Sequence, residues 1–493
     1  MALLSRAGFR ARLALILLLA AGCNSAKPQI RQNATAVARH STAGSGTTKN
    51  VQTSSEPSGA VVVLASHRLP PVDRTEHIEK AAYLGDAELS LSELLREVES
   101  RNPSIQAMAF AWQAASQRYP QVVSLDDPMF MTMMAPASFG SSKVESAYIL
   151  QGSQNLPWFG KRDIRGQAAQ ADASAAFHDM HDTRLQVAQV TRIAFYDYYL
   201  VEREAELIAQ NAQVMQDFRQ AAQGKYENNQ VTQQDVLQAD VELTDTERRQ
   251  IEIERMQRVA RARLNTLLRC APNSPLPPPP RTLTITTEPP AIGNLQQMAT
   301  VQRPDLAALA ARVRVEEAAV NLAMKQYYPD AEFFGRYDSF WQPASTQSDL
   351  RAQVGMNMNV PLYRKKLHAA VCEAQFRLSQ RRAEFQQRQL DIQYEVQSAY
   401  EQVEESRRTA ELYAQKFLPF AEQNLDVART NYDVGKINFL SLAQAQRQLI
   451  EVREKHQQTL ADYHRRLAEL ERVVGGNVST ATRAEELPVS ATQ

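Results

Sequence analysis

Apolar residues recur every seven positions along two long stretches of the chain that contain neither glycine nor proline. These stretches span residues 167–223 and 362–418, and each is 57 residues long. A seven-residue period predicts long helices that pack side by side as in a coiled coil. The other faces are rich in Gln, Arg and Glu, and a narrow apolar seam of this kind suits the wall of a hollow cylinder. The recurring residues are Val187, Ala194, Val201, Ile208 and Met215 in the first stretch, and Val371, Leu378, Phe385, Ile392 and Ala399 in the second.

Alternation of apolar and polar residues predicts four strands. It is clear in residues 331–341 and 353–360, and weaker in residues 129–134 and 148–155. Period-two alternation marks a strand whose two faces meet different surroundings, and lipid on one side with water on the other is one such environment. In residues 331–341 one face would carry Ala331, Phe333, Gly335, Tyr337 and Trp341, and the other Glu332, Arg336 and Asp338.

These elements occur twice in the same order, which indicates an internal duplication. Pro103 corresponds to Pro304, and Tyr226 corresponds to Tyr432, with offsets that rise from 201 to 206 positions. Each copy predicts a helical stretch, two strands, a very long helix, a turn and a returning helix. The predicted divisions are a first repeat at 88–270, a proline-rich extended linker at 271–290, a second repeat at 291–474 and a mobile tail at 475–493.

The N-terminus carries the pattern of a secretory signal. A basic region with Arg6, Arg10 and Arg12 precedes an apolar run too short to span a bilayer. Small residues then precede Cys23, and the whole resembles a bacterial lipoprotein signal in which that cysteine is lipidated. Residues 1–22 are thus predicted to be removed, and residues 23–87 to form a lipid-anchored flexible segment. A plain signal peptide with an incidental cysteine is the alternative.

Composition narrows the function. Lys plus Arg equals Asp plus Glu at 55 each, so no strong electrostatic field favours binding of nucleic acid.

No later window is apolar enough for a membrane-spanning helix, so a membrane crossing would have to use strands. Four strands are too few to close a conducting barrel, and an open sheet edge in lipid is costly. Several chains would therefore share one barrel, and three chains would supply twelve strands.

Three motifs carry a resemblance to the TolC-like outer-membrane efflux factors, over roughly residues 88–474. They are Leu156-Pro157-Trp158-Phe159-Gly160-Lys161-Arg162; Leu418-Pro419-Phe420-Ala421-Glu422; and Tyr432-x-x-Gly435 followed by Phe439, Leu442, Ala445 and Gln446. The resemblance implies a mainly α fold with a small β part. A homotrimer would form a long coiled-coil helical barrel and a transmembrane β-barrel to which each chain gives four strands. It implies a channel that extends from the outer membrane into the periplasm, and the predicted lipid on Cys23 would anchor it to that membrane. Its partners would be an adaptor protein and an inner-membrane transporter.

The resemblance also assigns site residues. The two turns between long helices would be the periplasmic tips that contact the adaptor, through Asn229, Val231, Thr232, Gly435, Ile437 and Asn438. Gly435 and Asn229 suit a left-handed turn, and Thr232 and Asn438 suit helix caps. Some members of the family have carboxylates just after the second turn, and these form an acidic ring at the pore constriction. Here those positions are Ser441 and Gln444, and only Asp235, which matches Ser441 in the first copy, is acidic. A strong double acidic ring is therefore not expected.

Metal and catalytic chemistry have weaker support. His178, His181 and Asp182 share a helix face and could hold a metal, but a hydrated face is the favoured interpretation. Met129, Met131, Met133 and Met134 could bind copper or silver through thioethers, although apolar strand faces explain them as well. No catalytic motif or cofactor signature is present, so neither an enzyme nor a cofactor is expected. The other functions considered are a periplasmic coiled-coil scaffold or adaptor lipoprotein, and an envelope hydrolase.

Overall fold

The computed structural model describes residues 88–134, 148–285, 289–339, 352–476 and 478. The predicted signal peptide, the predicted lipidation site Cys23 and Trp341 lie outside these residues. The helices are α1 Leu91–Arg101, α2 Pro103–Ser116, α3 Arg118–Val123, α4 Lys161–Glu227, α5 Gln233–Leu267, α6 Ile292–Gln302, α7 Pro304–Lys325, α8 Arg364–Leu412, α9 Leu418–Asp433 and α10 Phe439–Val474. The strands are β1 Met129–Met134, β2 Tyr148–Leu156, β3 Ala331–Ser339 and β4 Ala352–Met358.

The element order of the first half recurs in the second, as the duplication predicts. In both halves a proline divides the leading helical stretch. Asn102 and Arg303 adopt the same extended backbone, with φ −68° and ψ 121°, and a proline begins the next helix. A residue before proline is disfavoured in the helical region, whereas proline itself fits the first helical position. Ser90 stands at the N-cap of α1, but its side chain makes no capping hydrogen bond.

Helix α4 is longer than the glycine-free stretch that predicted it. It has 67 residues, or roughly 100 Å at 1.5 Å per residue, and runs through Gly166. A Cβ atom at Gly166 would lie 2.8 Å from Val123 Cγ2, so the glycine lets α3 pack closely against α4. This packing, rather than a break in the helix, accounts for the residue.

The second long helix is interrupted by one wide turn without ending. A π-helical turn, Tyr413–Phe417, joins α8 to α9, and Pro419 lies in the first turn of α9. In a regular helix the ring of Pro419 would clash with the carbonyl of Gln415, and the amide hydrogen bond would be lost. The wider π-turn relieves that conflict. The ring of Tyr413 stacks on that of Phe417 at 4.8 Å within the same turn.

The predicted seams lie inside the helical packing. Every heptad residue is buried or half-buried, and Ile392 is fully buried. We call α4 with α5 the first hairpin, and α8, the π-turn, α9 and α10 the second hairpin. Near the helix turns, one apolar cluster draws on both hairpins and includes Phe218, Tyr432 and Phe439.

Candidate functional site

The four strands form one antiparallel sheet in the order β1-β2-β3-β4. Directly paired residues of antiparallel strands lie on the same face, so the register assigns every residue to a side. Among the pairs, Leu150 lies opposite Tyr337, and Phe333 lies opposite Met356. One face carries Phe130, Thr132, Met134, Tyr148, Leu150, Gly152, Gln154, Leu156, Ala331, Phe333, Gly335, Tyr337, Ala352, Val354, Met356 and Met358. We call this the apolar face.

The apolar face is open in the single chain. Val354 is 93% exposed and Phe130 is 84% exposed. A contiguous apolar surface of this kind marks a contact with lipid or with another protein. Among the residues that the structure describes, no helix combines the length and apolarity needed to cross a bilayer.

The opposite face of the sheet, called the polar face, carries mostly hydrophilic side chains on β2, β3 and β4. Asn357 Nδ2 donates to Glu332 Oε2 at 3.2 Å, and Arg336 pairs with Asp338 at 3.0 Å. The polar face carries Gln151, Ser153, Asn155, Glu332, Arg336, Asp338, Gln353 and Asn357. The Phe334 ring covers Gly355 on this face, where a Cβ atom would have no room.

Buried contacts fix the sheet to the helices. Lys161, only 4% exposed, donates from Nζ to Asp330 Oδ1 at 2.8 Å and to the Tyr328 carbonyl at 3.1 Å. The Trp158 backbone N–H donates to the same Asp330 oxygen at 2.7 Å, and the Trp158 ring stacks on Tyr328. The Leu156–Arg162 motif therefore joins the end of β2 to the start of β3, which follows it by about 170 positions.

The two turns between long helices share one geometry. Asn229 has φ 51° and Gly435 has φ 76°, as the sequence predicted. The next residue in each turn donates its backbone N–H back to a carbonyl five positions earlier, from Gln230 to Lys225 at 2.9 Å and from Lys436 to Asn431 at 2.8 Å. This Schellman pattern satisfies helix-end carbonyls and needs a left-handed residue at that point.

The returning helices begin with matched caps. The Asn438 side chain accepts from the Ser441 backbone N–H at 3.1 Å and from the Ser441 hydroxyl at 2.8 Å. In the first hairpin, Asp235 Oδ2 accepts from the Thr232 backbone N–H at 3.2 Å. Asp235 and Ser441 thus occupy corresponding cap positions, and Gln444 lies exposed one turn beyond Ser441. Asp235 and Ser441, two of the three predicted constriction residues, therefore already have a local structural role.

A groove of about 670 Å³ separates the two turns, and most of the predicted tip residues line it. Val231, Thr232 and Asp235 come from the first hairpin, and Gly435, Ile437 and Asn438 come from the second. The structure therefore brings these six residues together. Asn229, Ser441 and Gln444 are not among the lining residues.

Lys225 and Tyr432 line the same groove, and neither is among the predicted adaptor-contact residues. Lys225 Nζ lies 3.9 Å from the Tyr432 ring centroid and donates to the Tyr432 carbonyl at 2.9 Å. It also lies 3.7 Å from Asp433. Burial, with the charges of Asp235 and Asp433, raises the pKa of Tyr432, so its hydroxyl stays neutral. The internal duplication could not have predicted this contact. Tyr226 is the counterpart of Tyr432 in the first copy, but it is 40% exposed, so the two tyrosines differ in their surroundings.

Polar contacts connect the two hairpins along their length. Arg249 Nη2 bonds both oxygens of Glu454, at 2.6 and 2.7 Å, and Arg447 bonds Glu242 at 2.9 Å. Farther from the tips, the Tyr199 hydroxyl donates a hydrogen bond to Gln457 Oε1 at 3.0 Å. These contacts hold the hairpins in the arrangement seen here.

The histidine cluster has other partners. The His181 ring packs edge-on against Phe177 at 4.5 Å, and Asp182 accepts a hydrogen bond from Gln186. Burial and the neighbouring Arg184 lower the pKa of His181. Within the described ranges, no group of three or more His, Cys, Asp or Glu side chains is arranged for a metal ion.

Comparison with known proteins gives a family match for part of the chain. Residues 295–476, which include most of the predicted second repeat, match the family described as outer membrane efflux protein. The match confirms the resemblance drawn from the sequence. No curated protein sequence matches this chain.

Solved channel structures share the fold. The outer-membrane channel OprN has a TM-score of 0.65 at 19% identity, and the similarity covers 78% of this chain and 90% of that one. The outer membrane protein VceC of Vibrio cholerae has a TM-score of 0.66 at 18% identity, covering 79% of this chain and 96% of that one. CusC, whose structures concern transmembrane channel formation, has a TM-score of 0.68 at 15% identity, covering 79% and 93%. At these identities the likeness is one of fold, and it confirms the predicted fold class.

Proposed function

We propose that this chain is the outer-membrane channel subunit of a tripartite efflux pump. It would passively conduct small molecules or metal ions delivered by an inner-membrane transporter and a periplasmic adaptor. The observation that carries the proposal is the sheet with one apolar and one polar face, joined by buried contacts to two long helical hairpins. A periplasmic scaffold or adaptor would need the hairpins but would gain nothing from an exposed apolar sheet.

The sheet also supports a trimer. β1 and β4 are the outer strands of the four, and among the described residues each has one edge without a partner strand. In hydrocarbon, each backbone N–H or C=O group left without a hydrogen bond at such an edge costs on the order of several kcal/mol. Pairing β4 of one copy with β1 of the next removes these edges, and three copies give a closed barrel of twelve strands. The apolar face would then meet lipid and the polar face would line the water-filled pore.

The tip groove is the proposed docking place for the adaptor. Its lining combines Lys225, Asp235 and Lys436 with the apolar Val231 and Ile437, so charged and apolar contacts are both available to a partner. Asp235, Ser441 and Gln444 would narrow the pore close to this end. Lipidation at Cys23 would add a second attachment to the outer membrane, as the sequence predicts.

Two adjacent residues of β4 allow a matched test. Val354 lies on the apolar face and Gln353 on the polar face. Val354→Arg would place a charge against lipid, at a cost of about 2–4 kcal/mol near the bilayer midplane. We expect it to reduce the outer-membrane trimer seen on density fractionation and unheated gels, whereas Gln353→Arg should leave the trimer intact. If the two variants assemble equally, or if the wild-type chain is released without detergent, the channel proposal is wrong.

A further inference from the structure

Strand β1 differs from its three neighbours on the polar face. Met129 lies opposite Ser153, Met131 opposite Gln151 and Met133 opposite Ile149. The register therefore places these three methionines, which we call the methionine ladder, on the same face as the hydrophilic residues of β2, β3 and β4. Met134 lies on the apolar face with Met356 and Met358. The expectation that an apolar strand face explains all four methionines of β1 holds only for Met134.

The position of the ladder is costly for ordinary apolar side chains. Met129, Met131 and Met133 are 71%, 43% and 53% exposed. On the same face the other strands place Gln, Ser, Asn, Glu, Arg and Asp, together with the apolar residues Ile149 and Phe334. Each apolar side chain left in water forgoes the burial that would otherwise stabilise it. Three exposed methionines at alternate positions on a mainly hydrophilic face indicate a role for their sulfur atoms there.

The spacing suits a soft metal ion. Side chains two positions apart on a strand start about 6.8 Å from each other, and methionine has three rotatable bonds before its end. Neighbouring thioethers of the ladder can thus converge on one ion. Thioether sulfur selects soft monovalent ions such as Cu(I) and Ag(I) over hard cations such as Mg²⁺.

We propose that Met129, Met131 and Met133 form a binding track for soft monovalent metal ions on the pore wall of the sheet. The inference rests on the proposed function, since it takes the polar face to line the water-filled pore. Overlapping sites along a strand let an ion bind in one place and move to the next, as conduction requires sites weak enough to leave. Binding is reversible ligand exchange and involves no redox step.

The chain offers its own control. The ladder variant carries Met129→Leu, Met131→Leu and Met133→Leu, and the control carries Met134→Leu, Met356→Leu and Met358→Leu on the apolar face. Each set removes three thioethers from the same sheet with nearly conserved volume. Thiols compete for soft ions, so both variants and the reference protein carry Cys372→Ser, which removes a partly exposed thiol.

The measurement is Ag(I) binding to the purified full-length protein in detergent, by titration calorimetry and by metal content after gel filtration. We expect the ladder variant to bind Ag(I) more than about tenfold more weakly than the reference protein, and the control variant to match the reference. Equal binding by all three proteins would overturn the proposal, and so would an equal loss in both variants.

Conductance in planar bilayers, recorded on the same three preparations, separates this inference from the proposed function. If all three conduct ions, the channel assignment stands and the silver titration alone decides the ladder. If none conducts, the channel assignment is wrong, and a selective loss of silver binding would then no longer describe a pore-wall site.

Discussion

His464 shows how burial of one residue makes stability depend on pH. It is 8% exposed in α10, and its ring stacks on Tyr196 of α4 at 4.9 Å. Burial lowers its pKa from 6.5 to about 4, although a hydrogen bond to the Thr284 backbone acts in the opposite direction. The neutral ring is therefore the form that the fold accepts.

We predict that His464→Phe flattens the pH dependence of stability in acid. Between about pH 6.5 and 4, His464 is protonated in the unfolded wild-type chain but stays neutral in the folded chain. The free energy of unfolding therefore falls as pH falls, by up to about 3 kcal/mol. Phe keeps a ring against Tyr196 and does not titrate. Thermal unfolding in detergent from pH 7 to 4 would measure the difference.

The exposed His368 gives the matched control for this experiment. His368→Gln removes a histidine but no buried ring, so its stability profile should follow that of the wild type. A His464→Phe protein that loses stability in acid as steeply as the wild type would contradict the prediction.

At the scale of elements, the sequence predicted the strands and turns well because local rules decide them. β1 begins and ends where predicted, and the left-handed residues at Asn229 and Gly435 follow from the steric freedom of those residue types. The limits of the long helices were harder. Glycine and proline often end helices, yet both long helices continue here. Gly166 packs closely against α3, and a π-turn accommodates Pro419. Both causes involve contacts or geometry that no local pattern encodes.

The residues of the candidate site also divide into those that the sequence predicted and those that depend on tertiary packing. The duplication predicted the position of both turns, and therefore most of the residues that each turn contributes to the groove. It did not predict that Lys225 of α4 would reach the ring of Tyr432 in α9, because that contact depends on how two separate hairpins pack. It also did not predict which face of β1 would carry the methionines, since β1 is nearly uniform in polarity and only the register with β2 distinguishes its sides.

Two glycines near the turns make a second prediction. Gly435 has φ 76° in its turn, whereas Gly224 lies in the last turns of α4, and a Cβ atom would meet nothing within 4 Å at either position. Only backbone conformation therefore distinguishes them. Gly435→Ala should destabilise its turn by about 1–2 kcal/mol, and Gly224→Ala should stabilise α4 by about 0.5–1 kcal/mol.

Hydrogen exchange at the turns is the suitable measurement, because the effect is local. Amides around Asn431–Lys436 should exchange faster in Gly435→Ala, and amides around Gly224 should exchange more slowly in Gly224→Ala. Opposite signs are the essential outcome. Slower exchange at the second turn in Gly435→Ala would show that a left-handed residue is not required there.

At the scale of the whole molecule, several polar contacts join the two hairpins, and they include Arg192–Glu471 and Arg465–Asp197 between α4 and α10. Besides the contacts near Tyr432, the Arg249–Glu454 and Arg447–Glu242 ion pairs join α5 to α10. If the pore opens by movement of the second hairpin away from the first, these pairs stabilise the arrangement seen here over the open one. By contrast, the Arg453–Glu422 pair, at 2.9 Å, lies within the second hairpin and would move with it.

We predict that the double variant Glu242→Gln, Glu454→Gln favours the open channel. Each partly exposed pair contributes about 0.2–1 kcal/mol, so removing both should raise the open fraction by roughly fivefold, the factor that about 1 kcal/mol produces. Single-channel conductance and open time in planar bilayers would measure this. Glu422→Gln removes a comparable ion pair from within one hairpin and should leave the channel as in the wild type. If the double variant opens no more often than Glu422→Gln, opening does not separate α5 from α10, and the pore must widen by a movement that keeps the two hairpins of each subunit together.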